Sequence, residues 1–143
     1  MHRSVLRNAS KCVLALLALT RPGRAEEAKI TAAMQCEPVV EPGRVKCSAE
    51  VRTTGGGSIA WADLAIVELP EHATALKGRI GPSDAIAREA TIQKWAFGLV
   101  ARKAGKGEVK ARVRVIVCEP GPTDAAPRCS PATLEVKTTI HVG

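Results

Sequence analysis

Val109-Lys110-Ala111-Arg112-Val113-Arg114-Val115-Ile116-Val117 alternates apolar and charged residues almost strictly. Leu134-Glu135-Val136-Lys137-Thr138-Thr139-Ile140-His141-Val142 alternates in the same way. A period of two marks a strand with one face on a core and the other in water. Between the runs lies Cys118-Glu119-Pro120-Gly121-Pro122-Thr123-Asp124-Ala125-Ala126-Pro127-Arg128-Cys129, a loop rich in turn residues and bracketed by cysteines. The pattern predicts a β-hairpin stapled at its mouth.

The bracket occurs twice. Cys36-Glu37-Pro38 opens the earlier copy and Lys46-Cys47-Ser48 closes it; Cys118-Glu119-Pro120 and Arg128-Cys129-Ser130 frame the later one. Both pairs stand eleven positions apart. Around the first pair, Lys29 to Cys36 reads as a strand with Ile30, Ala32, Met34 and Cys36 on one face. Val45, Cys47, Ala49 and Val51 line one face of the next strand, and Lys46, Ser48, Glu50 and Arg52 the other. Thr53 to Ser58, with three consecutive glycines, reads as a loop; no Gly-Lys-Ser/Thr follows to make it a phosphate cradle.

Ile59 to Leu69 is an apolar run that predicts a central strand covered on both faces. Asp63 and Glu68 interrupt it. Five positions apart, they should point to opposite faces of one strand as solvated or edge residues rather than form an acid/base pair. Pro70 to Ala90 predicts a loop-rich crossing with short strand or helix pieces, Pro70 and Glu71 suiting a first helical turn. Thr91 to Ala101 returns to strand, with Trp95, Phe97 and Leu99 on one face. Arg102 to Gly107 reads as a basic turn. Six strands, or seven with one in the crossing, short and separated by Gly/Pro turns, predict an all-β fold: an immunoglobulin-like β-sandwich of six to seven strands with two hairpin disulfides. A β-barrel is the alternative architecture.

Residues 1–25 carry the marks of a secretory signal peptide. Arg3, Arg7 and Lys11 precede an apolar run of eight residues from Cys12 to Leu19, and Gly23-Arg24-Ala25 offers small residues at a cleavage site. The run is too short to span a bilayer, so no membrane span is expected in the mature chain. Cleavage would leave a single β-sandwich domain, residues 26–143, in a periplasmic or secreted location. It would also change the charge. The chain has 21 Lys plus Arg against 14 Asp plus Glu. Five of the basic residues and none of the acidic ones lie in 1–25, which leaves 16 against 14. Nucleic acid is not an expected partner of so balanced a chain. The expected partner class is another exported or periplasmic protein, with no identity fixed.

Cleavage also removes Cys12 and leaves Cys36, Cys47, Cys118 and Cys129, an even set that points to disulfides in an exported chain. The spacing within each pair is too wide for the usual zinc pattern. Three pairings are open. Local pairing joins Cys36 to Cys47 and Cys118 to Cys129. The immunoglobulin alternative joins Cys47 to Cys118 with Trp61 between. Burial favours local pairing, because Cys118 shares its strand face with Arg114, Arg112 and Lys110, and turning it inward would bury three cations. His72 and His141 read as surface histidines, since neither belongs to a recognised catalytic motif. No catalytic residue, cofactor-binding residue or metal ligand is read from the sequence. The rings Trp61, Trp95 and Phe97 read as mostly core-bound.

Val113-Arg114-Val115-Ile116-Val117-Cys118, a loop, then Cys129-Ser130-Pro131 and a final strand resemble the end of the N-terminal immunoglobulin-like domain of the periplasmic thiol:disulfide interchange protein. The resemblance spans residues 109–142. It implies an exported immunoglobulin-like fold in which Cys118 and Cys129 form a redox pair that passes electrons to periplasmic partners. The loop here is longer than that family's, lacks its capping aromatic residues, and is accompanied by Cys36 and Cys47, which the family pattern does not include. Two functions follow: a non-enzymatic binding or structural module, or a thiol–disulfide redox domain using Cys118 and Cys129. In either case the second hairpin should turn its bridge outward, with Arg114 and Arg128 as candidate cations beside it.

Overall fold

Strand follows strand along the chain: β1 (Lys29–Cys36), β2 (Gly43–Thr54), β3 (Ser58–Glu68), β4 (Ala73–Ala75), β5 (Arg79–Ile80), β6 (Ala85–Arg88), β7 (Ile92–Ala101), β8 (Gly105–Glu119) and β9 (Arg128–Val142). The structure is a computed structural model and describes residues 28–123 and 125–143. The leader expected over 1–25 lies outside the described residues. The six long strands are the six read from sequence. β4, β5 and β6 fall in the crossing from 70 to 90, together with a single 3-10 turn over Pro82–Asp84.

The strands form two sheets, not one closed barrel. In sheet A, β1 pairs β2 and β2 pairs β7, while β4 and β6 divide the far edge of β7 between them. Sheet B has the order β5-β3-β8-β9. The chain is thus an all-β, immunoglobulin-like sandwich. Its core is built from short side chains: Val45, Ala49 and Val51 of β2 and Leu99 of β7 face Val109, Ala111, Val113 and Val115 of β8, with Leu64 and Ile140. Trp95 is the largest fully buried side chain. Its indole N–H donates to Gly81 O at 3.1 Å and pins the crossing to the core.

The crossing seals one side of the sandwich. While β4 and β6 cover β7, β5 pairs Leu64 and Ala65 of β3, Ile66 N donates to Gly78 O at 2.8 Å, and Ile59 N donates to Ala90 O at 2.7 Å. The opposite side keeps β1 and β9 as its edges. The helical start expected at Pro70 is absent, because Ala73–Ala75 pairs with Leu99–Ala101 instead. The basic turn is shorter than expected. Gly105 to Gly107 already pairs with Val142 to Ile140, so β8 begins inside the predicted turn. The glycine run after β2 is a turn, with Gly55 and Gly56 at φ 79° and 84°. A Cβ on Gly57 would stand 2.8 Å from Val117 Cγ1, so that position must stay bare.

Candidate functional site

Two disulfides join Cys36 to Cys47 and Cys118 to Cys129. Each closes an antiparallel ladder in register. In the first hairpin Met34 lies opposite Ala49 and Ala32 opposite Val51. These partners share the cysteines' parity and face the core, so Cys47 is 4% exposed. In the second, Val113 lies opposite Leu134 and Ala111 opposite Val136 on the inner face. Cys118 and Cys129 have the other parity, shared with Arg112 opposite Glu135, and lie on the outer face of sheet B. Cys118 is half-buried and Cys129 is exposed. The alternation that puts valines on the core therefore turns the second bridge to solvent.

Few polar groups attend that bridge. Ser58 Oγ donates to Cys118 O at 3.3 Å, and Ala28 N donates to the Glu119 carboxylate at 3.0 Å. Arg114, the expected cation, is elsewhere. It sits four residues back along β8, about 13 Å at strand rise, and is committed to Asp63. Its Nε donates to Asp63 Oδ1 at 2.9 Å and its Nη2 to Oδ2. That hydrogen-bonded carboxylate holds the guanidinium pKa above its ordinary value. The same guanidinium lies over Trp61, 5.3 Å from the ring centroid. Arg79 Nε stands 3.8 Å from Asp63 Oδ2. Arg128 lies opposite Glu119, on alternate parity to the bridge.

This cluster corrects three sequence expectations. Asp63 is 2% exposed, not a solvated edge residue. Trp61 lies on the outer face of sheet B, opposite Ile116, not in the core. Asp63 and Glu68 share one face, with Arg114 opposite the first and Lys110 opposite the second. The cause is a register shift between Ile66 and Glu68, which inserts one residue and cancels the odd spacing. Glu68 reaches Lys110 Nζ at 3.2 Å, and that hydrogen bond chiefly holds the lysine pKa above its ordinary value. The readable signal was a lone aspartate two residues from a tryptophan in an otherwise apolar run.

The histidines divide. His141 is exposed, as expected. His72 is 8% exposed, a further correction, and its Nε2 is buried with no hydrogen-bond partner among the described residues. Its ring packs against Gly105, whose added Cβ would stand 3.2 Å from Cε1. Among the described residues no group of three His, Cys, Asp or Glu is placed to hold a metal, and no helix is long and apolar enough to cross a membrane. A groove of about 700 Å³ lies on sheet A over Gln35, Lys46, Ser48 and Ala96, beside the first staple and away from the second.

No family model matches the chain, and no curated protein matches it in sequence. Solved structures match in shape. The major subunit of aggregative adherence fimbriae type I from Escherichia coli is 10% identical, with 86% of this chain and 100% of that chain covered at a TM-score of 0.42. The bacterial hydrophobin BslA is 8% identical, with 85% and 98% covered at 0.38. A structure concerned with fibronectin binding and biofilm formation of enteroaggregative Escherichia coli AAF fimbriae is 10% identical, with 80% and 100% covered at 0.32. Likeness at this level assigns no residue of this chain a role; the chain's own geometry is that of a disulfide-stapled all-β sandwich.

Proposed function

We propose that the chain is an exported β-sandwich acting as a non-enzymatic binding or structural module, periplasmic or secreted, with both disulfides as staples. One observation carries this reading: each cysteine pair joins strands that are already paired in register, and the second ladder continues past its bridge to Glu119 opposite Arg128. Bridges so placed tie a fold together. Arg114, one of the two cations expected to favour a thiolate at Cys118, is bound to Asp63 instead.

The redox domain using Cys118 and Cys129 is the second reading, supported by the outward position of that bridge. Exposed disulfides tend to be the labile ones. The reduction potential of each bridge, measured by equilibration with a dithiol buffer and mass mapping, separates the two. The module reading expects the Cys118–Cys129 bridge to open before Cys36–Cys47, yet at a potential below about −300 mV. A potential above about −270 mV, in the range of thiol–disulfide oxidoreductases, would overturn it in favour of the redox pair.

A further inference from the structure

We infer that two copies of this chain pair through β9, edge to edge about a twofold axis at Val136. β9 and β8 pair from Gly105–Val142 to Glu119–Arg128, and β9 ends sheet B. The Cα atoms of Cys118 and Cys129 are 4.0 Å apart, which marks a non-hydrogen-bonded pair. Residues of that parity, from Cys129 to His141, therefore aim their backbone N–H and C=O groups away from β8. Val39 confirms the direction: its N–H donates to His141 O at 3.0 Å, and its carbonyl accepts from Gly143 N at 2.8 Å. Val39 is the only backbone partner β9 has beyond β8 among the described residues.

The side chains on this edge are self-complementary in one register. Antiparallel pairing centred on Val136 sets Glu135 opposite Lys137 of the second copy, and the reverse, with Thr133 opposite Thr139 on either side. Neither Glu135 nor Lys137 is in an ion pair among the described residues, and both are exposed. Shifting the axis by one residue sets Glu135 against Glu135 or Lys137 against Lys137, and like charges directly opposite are destabilising. The ladder closes at Thr133 opposite Thr139: beyond it Val39 already lies beside the edge at His141 and Gly143, and Pro131, which would fall opposite His141, has no N–H to give. About eight backbone hydrogen bonds would form across the axis, between Thr133 and Thr139 of the two copies.

The occupant is a second copy of this chain, and the reading gives the proposed module a partner. A monomeric chain would overturn it and leave the potential measurement above untouched. The rival is an edge that Pro131, Glu135 and Lys137 merely protect from pairing. Sedimentation equilibrium of the chain decides, with thermal unfolding as a control for folding. A dimer is expected. Glu135→Lys and Lys137→Glu should each weaken self-association about tenfold or more, by facing like charges across the axis. Mixed one to one, the two variants place lysines opposite glutamates at every charged position and should recover the dimer as a heterodimer. A wild-type chain that stays monomeric at high concentration overturns the inference. So does a dimer indifferent to both substitutions, or one that mixing fails to restore.

Discussion

The two stapled hairpins have the same cysteine separation, the same flanking Cys-Glu-Pro, and ladders that close in register. They differ by the parity of one position. In the first, the cysteines fall in step with Met34, Ala49 and Val51 and the bridge joins the core. In the second they fall in step with Arg112 and Arg114, and the bridge faces water. The covalent chemistry is shared, so any difference in behaviour comes from which face of a pleated strand the sulfur occupies. A staple's position is set by the alternation of the strand that carries it, not by the sequence of the bracket.

Paired serine substitutions break this comparison most severely. Both loops are equally long, so the loss of chain constraint should be the same, about 3 kcal/mol on the entropic account. Cys36→Ser/Cys47→Ser also places a hydroxyl at a position only 4% exposed. An unsatisfied buried polar group costs about 1–3 kcal/mol more. Cys118→Ser/Cys129→Ser replaces a bridge that water already reaches and should cost no more than the constraint. Urea unfolding of the two variants should therefore show the first with the lower midpoint. Equal midpoints would mean that the burial difference has no energetic consequence.

The ion pair on the outer face of β3 and β8 sharpens the comparison on the side of the second hairpin. Its partners are unequally buried: the Asp63 side chain is 3% exposed and that of Arg114 is 42%. Removing Arg114 leaves a buried carboxylate with Arg79 3.8 Å away. Removing the aspartate charge leaves a guanidinium that can turn to solvent. Arg114→Met should therefore lower stability more than Asp63→Asn, whose cost should be about 1 kcal/mol. The double replacement Asp63→Leu/Arg114→Met should recover most of the loss, since apolar packing often equals a buried pair. Equal costs for the single variants would show that Asp63 is not held by Arg114 in particular.

What was readable in advance follows from the same alternation. The bounds of β1 and the facing of both hairpins came from a period of two and from pairing each cysteine with its neighbour in the bracket. What was hidden were departures from that period. The register shift at Ile66/Glu68 put Asp63 and Glu68 on one face, and the shift at Ile59/Trp61 accompanies Trp61 on the outside. Neither shift has a local signal in the sequence. The strand start at Gly105–Gly107 was hidden because glycine and lysine read as a turn; its ladder comes from Ile140 to Val142, more than thirty residues later. The burial of His72 follows from Ala73–Ala75 docking on the end of β7, a pairing too short to leave a periodic trace. The open groups of the β9 edge, in contrast, needed only the parity of Cys129.

The smallest expected effect separates the outward faces of the two hairpins by pH. On the first, Glu50 accepts from Arg52 at 2.6 Å and pairs with Lys94 at 3.2 Å, and the hydrogen bond from Arg52 is the main cause that holds its carboxyl below the ordinary 4.5. A depressed carboxyl stabilises the fold above its unfolded value, and that contribution is lost as pH falls through the folded one. On the second, Lys110 is held above its ordinary 10.5, chiefly by Glu68. A raised ammonium stabilises below its unfolded value, and the contribution disappears as pH rises through the folded one. The two faces should thus weaken at opposite ends of the scale. Glu50→Gln should flatten the decline in stability below pH 4.5 by a few tenths of a kcal/mol, the discount being set by its partial exposure. Lys110→Met should flatten the alkaline limb above pH 10.5 more than Glu50→Gln does. Urea midpoints measured across both limbs test this, and an alkaline limb that responds to Glu50→Gln as much as to Lys110→Met would show that the two faces do not titrate separately.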